Sequence, residues 1–180
     1  MRKQIGIKNC CKSVVFLIIS YLTTVSSTYG QDVEGKSLFK NGEFGKAIEV
    51  LSAQLAKDST NTSALKLRSH CYLKLENYTA AERDLVKIVT IENKDLLTKY
   101  MLADVYFKNG KSDSSLSLYQ ELNNNAYYLT EPKLHFNLAV VFFRLGQDDS
   151  ALFYAKRYLT TRSDDALGLS LLASILLEHE

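Results

Sequence analysis

The sequence predicts an all-α protein built from stacked helical hairpins, and three observations carry that prediction. The first is self-similarity. LFKNGEFGKAIEVL (Leu38–Leu51) returns as YLKLENYTAAERDL (Tyr72–Leu85), YFKNGKSDSSLSLY (Tyr106–Tyr119) and FFRLGQDDSALFYA (Phe142–Ala155). Gly42, Glu76 and Gly110 share one column at a spacing of 34 residues; Gly146 follows 36 later, so about two residues are inserted before the last copy. A fixed period of this length is the signature of a repeat architecture. The second is composition. With 46% hydrophobic and 23% charged residues the chain is globular rather than disordered, and its Leu, Ala, Lys and Glu favour helices over strands. The third is punctuation: clusters of Asn, Asp, Ser and Thr, such as Asp58–Thr62, separate the apolar runs as loops and caps do.

Taken in order, the chain opens with a basic stretch, Met1–Lys12. An apolar run, Ser13–Val25, and a small, mostly polar one, Ser26–Gly30, follow. That succession predicts a secretory signal peptide over 1–30, cut after Gly30 or near Ser27. The apolar run is shorter than the roughly 20 residues that span a bilayer, and an uncleaved anchor in the inner membrane is the alternative. The expected location is therefore periplasmic or extracellular. Helices are predicted over Asp32–Asn41, Phe44–Lys57, Ser63–Leu75, Tyr78–Ile91, Asp95–Asn109 and Ser112–Asn123. Three more are predicted from Pro132 to Leu145, over Asp148–Thr161 and over Ala166–Glu180. They group as one domain, 31–180, with repeats near 31–61, 62–95, 96–129 and 132–165 and a terminal helix, 166–180. Pro132 suits a first helical turn, and Ser163–Asp165 supplies a cap for the last helix.

The repeated columns have a packing logic. Seven residues before the turn column stand Gly35, Ser69, Ala103 and Ala139; five after it stand Ala47, Ala81, Ser115 and Ala151. Small side chains let two antiparallel helices approach closely. Leu38, Tyr72, Tyr106 and Phe142, with Leu51, Leu85, Tyr119 and Ala155, form two further columns, mostly large, that fill the space between helices. One hairpin cannot bury all this apolar surface, so neighbours must stack.

This series resembles the tetratricopeptide repeat over 31–180, best in Gly35, Leu38, Gly42, Phe44, Ala47 and in Ser69, Tyr72, Tyr78, Ala81. Copies three and four carry Ser112 and Asp148 where the family has an aromatic residue, and the usual Trp is missing. The resemblance implies a right-handed solenoid of four helix pairs plus a C-terminal helix, with the first helix of each pair lining a groove. The groove residues it implies are Phe39, Leu73, Phe107 and Phe143 in an apolar column and Lys40, Lys74, Lys108 and Arg144 in a basic one. Lys66, Tyr100 and Phe136 share a further column, and His70 and Asp104 another. Such a groove suits a protein or peptide partner with apolar anchors and some acidic residues. The alternative for the basic column is simple solvation of helix ends, where it complements the dipole. Some members of the family clamp a C-terminal carboxylate; here Lys36, His70, Asp104 and Asn137 lack that arrangement, and Asp104 would repel the ligand.

Other function classes find little support. Without the leader, 18 basic residues face 20 acidic ones, a net charge of −2, which offers no field for a phosphate backbone, so nucleic acid is not an expected partner. No cofactor is implied, and no Cys/His spacing suits a metal. Cys71, the one thiol outside the leader, reads as a small buried hydrophobe. His70 and Asp104, one repeat apart in one column, would be the start of a hydrolase site. No nucleophile elbow accompanies them, and a surface ion pair is the expected role, so the chain is not read as an enzyme.

The last helix, ALGLSLLASILLEHE, is apolar around most of its circumference, which predicts burial. Leu169, Leu172 and Leu176 mark the face that would meet a further helix. That face is expected either to assemble with a second copy or an envelope complex, or to fold back over the last pair. The sequence therefore predicts an exported scaffold that binds a partner through its groove. The alternative is a structural subunit of a cell-envelope complex held by its terminal helix.

Overall fold

The structure, a computed structural model, describes residues 33–178, so the leader expected at 1–30 lies outside the described residues. The described chain is helical, with no strand: α1 (33–40), α2 (Phe44–Lys57), α3 (Thr62–Lys74), α4 (Tyr78–Ile91), α5 (Leu96–Lys108), α6 (Ser112–Asn123), α7 (Pro132–Arg144), α8 (Asp148–Leu159) and α9 (Ala166–Glu178). Side-chain oxygens of Asn61, Asn77 and Asp95 accept from the N–H groups of Ala64, Ala80 and Thr98, so α3, α4 and α5 begin at the polar clusters that the sequence marks. Pro132 opens α7. The last helical residue of α8 is Leu159, two short of expectation; the hydroxyls of Thr160 and Thr161 turn back to the carbonyls of Arg157 and Tyr158, closing the helix end.

The turn column has one conformation throughout. Gly42, Gly110 and Gly146 have φ of +78°, +77° and +68°, and Glu76 joins them at +55°. After α5, Lys111 N–H reaches Tyr106 C=O at 2.8 Å and Gly110 N–H reaches Phe107 C=O at 3.1 Å; Gln147 and Gly146 repeat the pair on Phe142 and Phe143. This double closure needs a residue in the left-handed region.

The chain divides into two compact units, one ending at Leu75 and one starting at Glu76, within the second expected repeat. In the first unit Ala47, Leu51, Ala64, Ser69 and Cys71 are fully buried. A Cβ on Gly35 would sit 3.1 Å from Leu51 Cδ2, so the small residue there permits the approach of α1 to α2. Arg68 donates to Ser52 Oγ at 2.9 Å, tying α3 to α2. Burial pushes the Cys71 thiol up, away from the reactive thiolate.

In the second unit each helix packs on the next from α4 to α9. Ala81, Ala103, Ser115, Ala139 and Ala151 are fully buried, as the small columns require. Ser115 Oγ also donates to Ala103 C=O at 2.8 Å, which satisfies a hydroxyl inside the α5–α6 contact. The loop between α6 and α7 is mostly exposed but is anchored at one ring. Tyr128 is buried and stacks on Tyr100 with ring centroids 5.8 Å apart. The carbonyl of the next residue, Leu129, accepts from His135 Nε2 at 3.0 Å and from Arg157 at 3.1 Å.

The terminal helix departs from its reading as a buried element. Among its described side chains only Gly168 and Ile175 are buried, while Leu171 and Leu172 are half-buried against the core. Leu172 is therefore a packing residue rather than part of the free face. Leu167 (70% exposed), Leu169, Leu176 and Leu177 (76%) face solvent. Near its start α9 approaches α8 at a glycine, where a Cβ would lie 2.6 Å from the Tyr158 ring.

Candidate functional site

The most developed site lies in the second unit, between α5 and α7. Tyr100, Asp104, Phe107 and Lys108 follow one another at helical spacing on α5, and Lys133, Phe136, Asn137 and Val140 do so on α7, so each set forms one face. Together with Tyr119 and Val141 most of these residues line a pocket of about 270 Å³: Asp104, Phe107, Lys108, Lys133, Phe136, Asn137 and Val140. Two further pockets of about 310 and 270 Å³ lie beside it, and Lys133 lines all three.

The floor of the pocket is a hydrogen-bonded hub drawn from three helices. The Tyr119 hydroxyl, from α6, donates to Asp104 Oδ1. Asn137 Nδ2 is within donating distance of that same Oδ1 (3.0 Å), of the Tyr119 oxygen (3.0 Å) and of the Tyr100 oxygen (2.9 Å). Burial raises the Asp104 carboxyl above its ordinary range, opposed by the Tyr119 hydrogen bond and the charges of Lys133 and Lys108. Burial, then the nearby Asp104 charge, pushes both phenols well up, so both stay protonated. The Lys133 ammonium stands 5.4 Å from the Tyr100 ring centroid.

The structure sorts the residues that the sequence grouped. Tyr100 is nearly buried (7% exposed) and supports the hub rather than presenting a free ring. Arg144 lies 3.9 Å above the Phe107 ring and donates to the Phe107 carbonyl at 3.2 Å, so it caps α5 as well as carrying charge. Phe143 is half-buried against the core. In the first unit Lys40 and Lys74 are exposed, while Phe39 and Leu73 are half-buried. Phe39 meets Phe44 and His70 edge-on at 5.5 and 6.4 Å, and His70 Nδ1 lies 2.7 Å from the Lys66 carbonyl one turn back. His70 is thus engaged with its own helix and ring neighbour, and Asp104 with Tyr119 and Asn137.

Sequence reading missed Lys133 and gave Tyr119 only a space-filling part. The available signal was Asn137: an amide four residues after Lys133 on an otherwise apolar helix face needs partners.

A profile of the tetratricopeptide repeat matches residues 33–92 and 100–166. The chain belongs to the tetratricopeptide repeat family. It is 33% identical over 85 residues to protein unc-45 homolog B of Xenopus laevis and 30% identical over 95 residues to the intraflagellar transport protein 56 homolog of Caenorhabditis elegans. Those matches take in 46% and 53% of this chain but 9% and 17% of the two relatives. Among solved structures, MamA matches with a TM-score of 0.74 at 17% identity, covering 82% of this chain and 80% of that one. YrrB, described as a tetratricopeptide protein with an unusual peptide-binding site, matches at 0.71 and 17%, over 81% and 74%. At such identity the likeness is one of fold: an all-α solenoid of helical hairpins.

Proposed function

We propose that this tetratricopeptide protein is an exported scaffold that holds a peptide segment of a protein partner, without chemistry of its own. The single observation behind the reading is the pocket between α5 and α7. It has apolar walls (Phe107, Phe136, Val140), a polar floor (Asp104, Asn137) and two exposed lysines, 108 and 133, at its margin. That combination suits an apolar anchor with an acidic neighbour. In the first unit Phe39, Lys40, Lys66, His70, Leu73 and Lys74 are the candidate residues of the corresponding columns. Export rests on the basic, apolar and small-residue succession of 1–30.

A second reading, a structural subunit of an envelope complex, is favoured by the exposed leucines 167, 169, 176 and 177 on α9. Affinity capture from the native envelope with Lys108→Glu and Leu169→Glu/Leu176→Glu variants separates the two. Loss of the captured partner in the lysine variant supports the pocket. Loss in the leucine variant alone supports the terminal helix.

A further inference from the structure

We propose that the α5–α7 pocket selects a tyrosine side chain, with Asp104 as the residue that sets the preference. The inference rests on the reading of this pocket as a peptide anchor point and names the anchor.

The carboxylate of Asp104 has one oxygen engaged and one open. Both hydrogen bonds that Asp104 accepts land on Oδ1, from Tyr119 and Asn137. No described residue donates to Oδ2, and Asp104 lines the pocket. The site therefore offers a partly desolvated acceptor with capacity left. A ligand that covers it without a donor leaves that acceptor unpaired, at a cost of roughly 1–3 kcal/mol. Asp104 is half-buried, which makes a donor more valuable there than in water.

The remaining surroundings narrow the donor. Lys108 and Lys133 line the same pocket, so an arginine or lysine side chain would meet two like charges. An acidic side chain would meet the carboxylate itself. A neutral donor satisfies both constraints. Phe107, Phe136 and Val140 demand an apolar body behind that donor, and two of the three offer ring edges or faces. At about 270 Å³ the pocket is just below the size of drug-sized ligand sites, in keeping with one aromatic side chain. A phenol combines the flat apolar body with a single O–H at its tip.

The test is a titration of the protein with N-acetyl-tyrosine amide and, in parallel, with the phenylalanine, arginine and aspartate amides, followed by backbone amide shifts of residues 104–108 and 133–140. The tyrosine amide is expected to bind roughly tenfold tighter than the phenylalanine amide, the ratio that one hydrogen bond to a charged acceptor supplies. Asp104→Asn keeps an oxygen for Tyr119 and removes the second acceptor; it is expected to bring the two affinities together with the helical fold intact by circular dichroism. Equal binding of tyrosine and phenylalanine amides by the unsubstituted protein overturns the selectivity and leaves the anchor pocket standing. Tighter binding of the arginine or aspartate amide does the same. Absence of any shift at these residues with all four probes overturns the selectivity and the anchor reading together.

Discussion

The Tyr119 hydroxyl of α6 donates to the carboxylate of Asp104 on α5, and Asn137 of α7 donates toward both. Three helices therefore share one polar hub beneath the pocket. Tyr119 is almost fully buried, so its ring stays in place when the hydroxyl is removed. Tyr119→Phe is expected to destabilise the fold by about 1–3 kcal/mol, since a carboxylate loses a donor that water replaces poorly. Urea unfolding checks this. Asn137→Leu is expected to cost a similar amount, and the double variant less than the sum, because the two donors serve one acceptor. Additive losses would show that the hub does not act as a unit.

Glu76 occupies the glycine column with φ +55°, in the region where a β-carbon is strained. Its side chain is exposed, so little is lost by removing it. Glu76→Gly is expected to stabilise the protein by about 0.5–1 kcal/mol, the conformational gain outweighing the freer unfolded chain. Gly110→Ala, at φ +77° in open space, is expected to lose about as much for the opposite reason. Thermal melts of both variants test the pair. A destabilised Glu76→Gly protein would mean that the turn tolerates the side chain without strain.

The hairpin scaffold was legible because it is written locally and four times over. Ala47, Ala81, Ser115 and Ala151 recur at one offset from the turn, and each is fully buried. The hub was not legible in the same way. Tyr119 stands in a column that holds leucine in the first two copies and alanine in the fourth, so periodicity assigns it volume and says nothing of its hydroxyl. Its partners lie 15 and 18 residues away, on different helices. Tyr128 belongs to the loop that carries the two extra residues, so no column marks its burial. Arg144 shares a column with three lysines, yet its planar guanidinium lies over Phe107 in a way that an ammonium does not reproduce.

Gly168 is the closest approach of α9 to α8 among the described glycines. Its N–H is held by Asp165 Oδ2 at 2.8 Å, and an added Cβ would lie 2.6 Å from Tyr158 Cε1 and 2.9 Å from Leu159 Cδ2. Gly168→Ala gains helix propensity but overpacks that contact, with a net cost of about 1–3 kcal/mol expected. The loss should be confined to the end of the second unit. Hydrogen exchange should quicken in α9 while α5 and α6 keep their protection. Uniform loss of protection would instead show that α9 unfolds together with the rest.

His135 gives the fold an acid-sensitive point. The ring is 4% exposed, and its Nε2 faces the Leu129 carbonyl. Burial, then the Arg157 charge, lowers its pKa below the ordinary 6.5; the carbonyl contact and Glu131 oppose the shift. Below pH 6.5 the unfolded chain binds a proton that the folded chain resists. Stability from this group is therefore full above 6.5, falls as pH drops toward the lowered folded value, and falls no further beneath it. His135→Gln keeps a donor for Leu129 and removes the titration. Urea midpoints at pH 7 and pH 5 are expected to draw closer in the variant than in the parent protein, because the carboxylates of both chains contribute alike. An equal drop in the two proteins would assign the acid sensitivity to those carboxylates rather than to His135.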